Sequence, residues 1–123
     1  MAIKSVLQNI IYVEDMQKMI TFYRDVLQLP LNYPHKEDYS NEFWVEFQAG
    51  SITIALHAGG KSGKKPSAPK IVFEVDDIEA EHSRLLTAGV DIRSIENVAL
   101  GVRSADGFDS EGNYFSIDIH EQE

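Results

Sequence analysis

The stretch that decides the fold is Ile-Tyr-Val-Glu-Asp-Met at residues 11–16, because it returns 62 residues later as Phe-Glu-Val-Asp-Asp-Ile at residues 73–78. Each copy reads as the end of a strand followed by an aspartate, which can cap a helix by accepting a backbone N–H bond. Asp15 and Asp77 are therefore expected to begin two helices. A repeat of this period indicates two copies of one supersecondary unit.

Both expected helices have apolar residues at helical spacing. After Asp15 these residues are Met19, Ile20, Phe22, Tyr23, Val26 and Leu27. After Asp77 they are Ile78, Leu85, Leu86 and Ala88, and Gly89 supplies a C-terminal stop. We expect the stripe that contains Phe22 and Tyr23 to pack on the core side of a sheet, against Ile11, Val13, Ile54 and Leu56, and not to contact a ligand.

Strand-like segments complete each copy. The first copy has an extended stretch and then a hairpin, at residues 29–33, 43–47 and 51–57. The second has residues 90–93, 98–104 and 114–120, with a turn-rich stretch at 109–113. Gly, Ser, Pro and Lys dominate residues 58–69, which are expected to form a flexible linker. The sequence thus predicts one domain over residues 1–123, made of modules 1–57 and 70–123.

The repeat resembles the vicinal oxygen chelate superfamily, which includes glyoxalase I, bleomycin-resistance proteins, fosfomycin-resistance enzymes and extradiol dioxygenases. Residues 13–16 and 22–31 are similar to the family's first strand–helix pattern, in which an aromatic pair precedes a leucine. Residues 108–113 are similar to its C-terminal Asp-Pro-Asp-Gly-Asn turn, with Ser110 in place of the proline. The resemblance implies an α+β fold, with two βαβββ modules forming a cupped mixed sheet and helices on the outer face.

Composition limits the classes of function. The 123 residues are 43% hydrophobic and 25% charged, as in a globular domain, and no apolar run approaches the roughly 20 residues that span a bilayer. A net charge of −9 disfavours nucleic acid and anionic membranes as partners. Cysteine is absent and no signal peptide is evident, so we expect a cytoplasmic protein.

Strand alternation predicts which side chains face the cup. They are Gln8, Ile10 and Tyr12 on the first strand, Thr53, Ala55 and His57 on the fourth, Lys70, Val72 and Glu74 on the fifth, and Tyr114, Ser116, Asp118 and His120 on the last. The resemblance places metal ligands at Gln8, Ala55, Lys70 and Ser116. Alanine cannot ligate, lysine is itself a cation and serine is a poor ligand for zinc, nickel or iron. We therefore expect no metal and no other cofactor, as in the metal-free members of the family.

The remaining histidines, aromatic residues and lysines allow two interpretations each. His35 is expected in an exposed loop and His82 on a solvated helix face, whereas His57 and His120 end equivalent strands and could line the cleft as a donor or a general base. Trp44, Tyr12, Tyr114 and Tyr39 could stack on a ligand or simply pack. Lys61, Lys64 and Lys65 are interpreted as a solubility cluster or a lid.

We expect a metal-independent small-molecule-binding protein, which could sequester a cationic or aromatic compound. The candidate ligand-binding residues are Gln8, Tyr12, Trp44, His57, Lys70, Glu74, Arg103, Tyr114 and Asp118. The alternatives are a metal-dependent lyase, isomerase or dioxygenase of glyoxalase type, and a metal-free enzyme with His57 or Glu74 as general base. No catalytic residue is assigned. We expect a homodimer, because a second chain would cover bare strand edges and the open cup.

Overall fold

A computed structural model describes residues 6–59, 70–99 and 101–121 of the protein. The chain divides into two compact units, one ending at Ser62 and the other beginning at Gly63. Most of the expected linker, including Lys61, Lys64 and Lys65, lies outside the described residues.

The first unit follows the predicted order of elements. Strand β1 (Gln8–Val13) leads to helix α1 (Met16–Ile20), which continues as a π-helical segment (Thr21–Val26). Strands β2 (Leu31–Tyr33), β3 (Trp44–Ala49) and β4 (Ile52–Ala58) follow. The sheet order is β1-β4-β3-β2; β1 and β4 are parallel, and the other neighbours are antiparallel.

The first helix begins where the sequence predicted. The Asp15 side chain accepts a hydrogen bond from the backbone N–H of Lys18 at 3.1 Å, which satisfies one of the unpaired donors of the first turn. At the other end, the N–H of Leu27 donates to the carbonyl of Phe22, five residues back, as in a π-helix. Gln28 then adopts a φ of 64°, and the chain turns toward β2.

The core of the first unit lies between this helix and one face of the sheet. Phe22 and Tyr23 are 4% and 1% exposed, and the Tyr23 ring lies 6.3 Å from that of Phe47 on β3. The sheet residues on this side are buried as well; they are Ile11, Val13, Ile54 and Leu56. The predicted burial is confirmed for Met19, Ile20, Phe22 and Tyr23, whereas Val26 and Leu27 at the end of the stripe are half-buried.

The second unit repeats this plan with one addition. Its elements are β5 (Ile71–Glu74), α2 (Ile78–Thr87), β6 (Asp91–Ile92), β7 (Glu96–Ala99), β8 (Val102–Phe108) and β9 (Tyr114–His120). The sheet order is β5-β9-β8-β6, β5 and β9 are parallel, and β7 also pairs with β8. Asp77 caps α2 by accepting from the N–H of Ala80 at 3.0 Å, and Gly89 follows the helix with a φ of 86°.

The prediction of one strand at residues 98–104 is wrong. The chain instead reverses there, and Ala99 of β7 pairs with Val102 of β8. The reason is Gly101, whose φ of 72° is accessible to glycine at little cost and ends an extended strand. The second unit is therefore βαββββ.

The turn at residues 109–113 is confirmed. Asp109 is 5% exposed, and its carboxylate accepts from the backbone N–H groups of Glu111 and Asn113 and from the Asn113 side chain. Gly112 has a φ of 85°. These bonds stabilise the turn between β8 and β9. They explain the roles of Asp109 and Asn113 in the segment at 108–113 that resembles the family's C-terminal turn. The fold is of the α+β class, as predicted, and no helix in the described ranges is long and apolar enough to cross a membrane.

Candidate functional site

The sheet face of the first unit that points away from its helix carries an aromatic cluster. Tyr12 of β1 and Trp44 of β3 are both register partners of His57 on β4, so the three side chains project from neighbouring strands to the same face. Their ring centroids lie 5.0 Å and 6.0 Å from that of His57. Phe43 adds a fourth ring at 4.4 Å. We call these four residues the His57 cluster.

A hydrogen bond to the backbone determines which tautomer the neutral His57 ring adopts. Its Nδ1 atom lies 2.7 Å from the carbonyl oxygen of Ala58. A carbonyl oxygen only accepts hydrogen bonds, so Nδ1 carries the hydrogen. In the neutral imidazole, Nε2 is then the acceptor.

A polar cluster lies on the same face, farther along the strands. Gln8 donates through Nε2 to Oε1 of Glu46 and to Oγ1 of Thr53, both at 2.9 Å, and the Tyr33 hydroxyl donates to Glu46 at 3.1 Å. Neither Glu46 nor Tyr33 was predicted from the sequence as a residue of the site. The signal for Glu46 was present, because Glu46 lies two residues after Trp44 and alternation puts both on one face.

In the second unit, Lys70, Asp106 and Tyr114 form a triad. Lys70 Nζ lies 3.1 Å from Oδ1 of Asp106, and the Tyr114 hydroxyl donates to Oδ2 at 2.7 Å. The Lys70 ammonium also lies 5.2 Å from the centre of the Tyr114 ring, within cation–π range. The hydrogen bond to Asp106 raises the pKa of Tyr114, and Lys70 and Arg93 oppose that rise weakly. Asp106 was not predicted as part of the site, because residues 105–108 were not assigned to a strand.

A buried carboxylate lies beside this triad. Oδ1 of Asp118 accepts hydrogen bonds from the hydroxyls of Ser104 and Ser116, each at 2.7 Å, and Asp118 is 9% exposed. Glu74 on β5 is its register partner and is exposed. Two carboxylates thus occupy adjacent positions on this face, and Asp118 is held in a fixed orientation.

Arg103 does not belong with these residues. It pairs with Ile119 in the β8–β9 ladder, one position out of phase with Ser104 and Asp118, and so projects to the helix side. There its guanidinium pairs with Glu79 of α2 and, at 2.6 Å, with Glu121. The hydrogen bond from Arg103 lowers the pKa of Glu79. Arg103, one of the predicted ligand-binding residues, thus connects the helix to the sheet and lies apart from the other candidates of the second unit.

Three of the four positions at which the resemblance implies metal ligands carry side chains that do not fit a metal here. Ala55 has no donor atom, Lys70 is paired with Asp106, and Ser116 donates its hydrogen to Asp118. In the part of the chain that the structure describes, no three His, Asp or Glu side chains come together as a candidate metal site.

The other predicted candidates have different surroundings. Tyr39 is 1% exposed, and its hydroxyl donates to the carbonyl of Pro34 at 2.8 Å, so it packs in the first unit. His35 is exposed, as predicted, at a cavity of about 510 Å³ that is also lined by Arg24, Leu31, Lys36, Glu37 and Tyr39.

His82 is half-buried and donates from Nε2 to the carbonyl of Arg93 at 2.8 Å, which connects α2 to the end of β6. The prediction that His82 lies on a solvated helix face is thus only partly correct. His120 is exposed at the end of β9.

The duplicated strand–helix plan, with a parallel outer pair in each mixed sheet, defines a class of α+β protein built from an internal repeat. The family model described as Glyoxalase/Bleomycin resistance protein/Dioxygenase superfamily matches residues 3–117. The chain belongs to this superfamily, and the resemblance found in the sequence is confirmed.

Solved structures show the same fold at low sequence identity. A superfamily member from Sphaerobacter thermophilus is 23% identical, with a TM-score of 0.77 over 97% of this chain and 99% of that one. A glyoxalase family protein from Bacillus anthracis is 14% identical, with a TM-score of 0.77 over 97% of each chain. TnmS3, an antibiotic binding protein from Streptomyces sp. CB03234, is 21% identical, with a TM-score of 0.74 over 98% of this chain and 99% of that one. No functionally curated protein matches the sequence.

Proposed function

We propose that this protein binds a small organic ligand that is aromatic or cationic, and that it does so without a metal ion. The observation that carries the proposal is the His57 cluster, in which four rings gather on a sheet face outside the core. Tyr12 and Phe43 are 52% and 64% exposed, so flat apolar surface is available for stacking. An antibiotic binding protein shares the fold, so the fold is compatible with a binding role.

The second unit supplies the argument for a cationic group. Asp118 is fixed by two hydroxyls, and an oriented carboxylate is a strong acceptor for an ammonium or guanidinium group. Glu74 beside it adds a second negative charge. The net charge of −9 favours the approach of a cation at long range.

A thermal-shift screen tests the proposal. The protein is screened against flat aromatic compounds, against the same rings with an added amine, and against small metabolites. We expect the aromatic amines to raise the melting temperature most. The variants Tyr12→Ala and Trp44→Ala are expected to weaken that shift, whereas Lys18→Ala, on an exposed position of α1, is the matched control that leaves it unchanged. If no flat compound is bound, the proposal is wrong.

Metal independence has a separate test. The purified protein is assayed for bound transition metal and then titrated with nickel, zinc, manganese and iron(II) while its melting temperature is followed. We expect no stoichiometric metal and no rise, because three of the four family positions carry Ala55, Lys70 and Ser116. Roughly one equivalent of metal with a clear stability increase would favour the metal-dependent lyase, isomerase or dioxygenase instead.

We further propose that the chain forms a homodimer and acts in the cytoplasm. Strands β1 and β5 each end a sheet order, and the exposed apolar residues Ile10 and Val72 lie on these strands. Such edges are commonly covered by another chain. Light scattering at micromolar concentration should give about twice the 13.8 kDa of one chain, and a monomeric mass would contradict the dimer. The absence of cysteine is compatible with a reducing compartment.

A further inference from the structure

We propose that His57 selects ligands that present a hydrogen-bond donor on an aromatic ring, such as a phenol hydroxyl, and that Nε2 of His57 accepts this bond. The inference rests on the proposed function, since it takes the His57 cluster as the surface on which the ligand lies. It adds a chemical requirement that stacking alone does not impose.

The direction of the acceptor follows from the backbone contact. Nδ1 donates to the carbonyl of Ala58 at 2.7 Å, which places the hydrogen of the neutral ring on Nδ1 and the lone pair on Nε2. His57 is only half-buried. The register with Tyr12 and Trp44 fixes the strand position from which the imidazole projects.

The surroundings make this acceptor selective. Three aromatic rings lie within 6.0 Å of the imidazole, centroid to centroid, so a ligand ring that stacks on Tyr12, Phe43 or Trp44 lies beside the His57 ring. A ligand hydroxyl or N–H at that point is paired. A ligand ether or carbonyl oxygen there faces a lone pair and loses its bond to water without replacement. The cost of that loss discriminates between ligands of the same shape.

The test uses two probes that differ only in the donor: 2-naphthol and 2-methoxynaphthalene. Binding is followed by NMR titration of the full chain. We expect the wild type to prefer 2-naphthol by roughly fivefold to tenfold, the usual range for one hydrogen bond. His57→Phe keeps a ring and removes the acceptor, so it should bind both probes equally and retain its affinity for the methoxy compound. Lys18→Ala, on an exposed position of α1 away from the cluster, is the control and should keep the preference.

The outcomes separate this inference from the function on which it rests. Equal binding of both probes by the wild type overturns the role of His57 and leaves aromatic recognition standing. If neither probe binds, recognition of aromatic ligands fails and the inference fails with it. A preference that survives in His57→Phe assigns the acceptor to another residue and overturns the inference.

A measurement on the wild type covers the case in which His57→Phe does not fold. The protein is labelled with ¹⁵N-histidine and studied at pH 8.5, where an ordinary imidazole is neutral. We expect the His57 ring to show a protonated Nδ1 and a bare Nε2, and the Nε2 resonance to move when 2-naphthol is added. A hydrogen on Nε2, or a resonance that 2-naphthol does not move, would overturn the proposal.

Discussion

The hydroxyl of Tyr114 donates to Oδ2 of Asp106 at 2.7 Å, and this bond joins the start of β9 to β8. Because an ionised phenol has no proton to donate, the bond favours the protonated form and raises the pKa of Tyr114. A group whose pKa is raised by folding stabilises the folded state at lower pH, and that stability disappears as the pH rises through the folded pKa.

The first prediction follows from that relationship. At pH 7 the wild type should melt at a higher temperature than Tyr114→Phe. The gap should narrow as the pH rises through the alkaline range in which Tyr114 ionises. Thermal unfolding between pH 7 and pH 11 measures it. A gap that stays constant over this range would show that Tyr114 does not titrate against Asp106.

The second prediction concerns the buried aromatic residue on the first helix. Phe22→Ala removes a side chain that is 4% exposed and should lower the free energy of unfolding by about 3–5 kcal/mol. Urea unfolding gives the value, with Lys18→Ala on the exposed side of the same helix as the control. Ligand affinity of the folded variant should be nearly unchanged. A variant that keeps its melting temperature and loses binding would contradict the assignment of the faces.

A third prediction separates a structural carboxylate from an exposed one. Asp118→Ala leaves the buried hydroxyls of Ser104 and Ser116 without their acceptor and should cost about 1–3 kcal/mol in stability. Glu74→Ala removes the same charge from an exposed register partner and should cost little. Both variants are expected to weaken a cationic ligand. Equal stability of the two would show that the two serine bonds contribute nothing.

The fourth prediction tests a close backbone approach. A Cβ placed on Gly107 would lie 2.9 Å from Cζ of Phe115 and 3.3 Å from the carbonyl oxygen of Asp91. Gly107→Ala should therefore destabilise the protein by roughly 1–3 kcal/mol, because the buried Phe115 ring has to shift. Adding Phe115→Leu should recover part of that loss, so that the two substitutions are not additive. Strict additivity in urea unfolding would exclude the clash.

The fifth prediction follows from the position of Arg103 on the helix side of the sheet. The hydrogen bond from Arg103 lowers the pKa of Glu79, so the pair stabilises the fold above the unfolded pKa of a glutamate and is lost on acidification. Arg103→Gln should melt below the wild type at pH 7, and the difference should shrink toward pH 3. Ligand binding should be unaffected. A loss of affinity with unchanged stability would restore Arg103 to the binding site.

Much of the fold could be predicted because local chemistry and tertiary packing agree. Asp15 and Asp77 cap the helices, as their side chains favour, and the apolar spacing around Phe22 matches the buried face. The reversal at Gly101 was missed, since the apolar and polar pattern on both sides of one glycine resembles a continuous strand. The π-helical turn was not predicted either. An α-helix has backbone hydrogen bonds between residues four apart and a π-helix between residues five apart, and the spacing of the apolar residues does not distinguish the two.

The candidate site was predicted less completely, for a different reason. Alternation identifies the face of a strand but not the partner in the next strand, which depends on register. The sequence predicts Gln8 as a site residue but not Glu46, which accepts its hydrogen bond. It likewise predicts Tyr114 but not Asp106, the acceptor of the Tyr114 hydroxyl. Arg103 was predicted as a polar contact to the ligand; once β8 and β9 are paired, it lies on the other face.

The two helix caps, Asp15 and Asp77, repeat faithfully, yet the sheet faces opposite the helices do not: one has the rings around His57 and the other has the hydroxyl-bound Asp118. The helix caps are needed for each unit to fold, whereas the fold does not require the two opposite faces to carry the same residues. The two faces are thus free to diverge independently. Substitutions can therefore remodel the face of one unit while the other unit, and both cores, stay as they are.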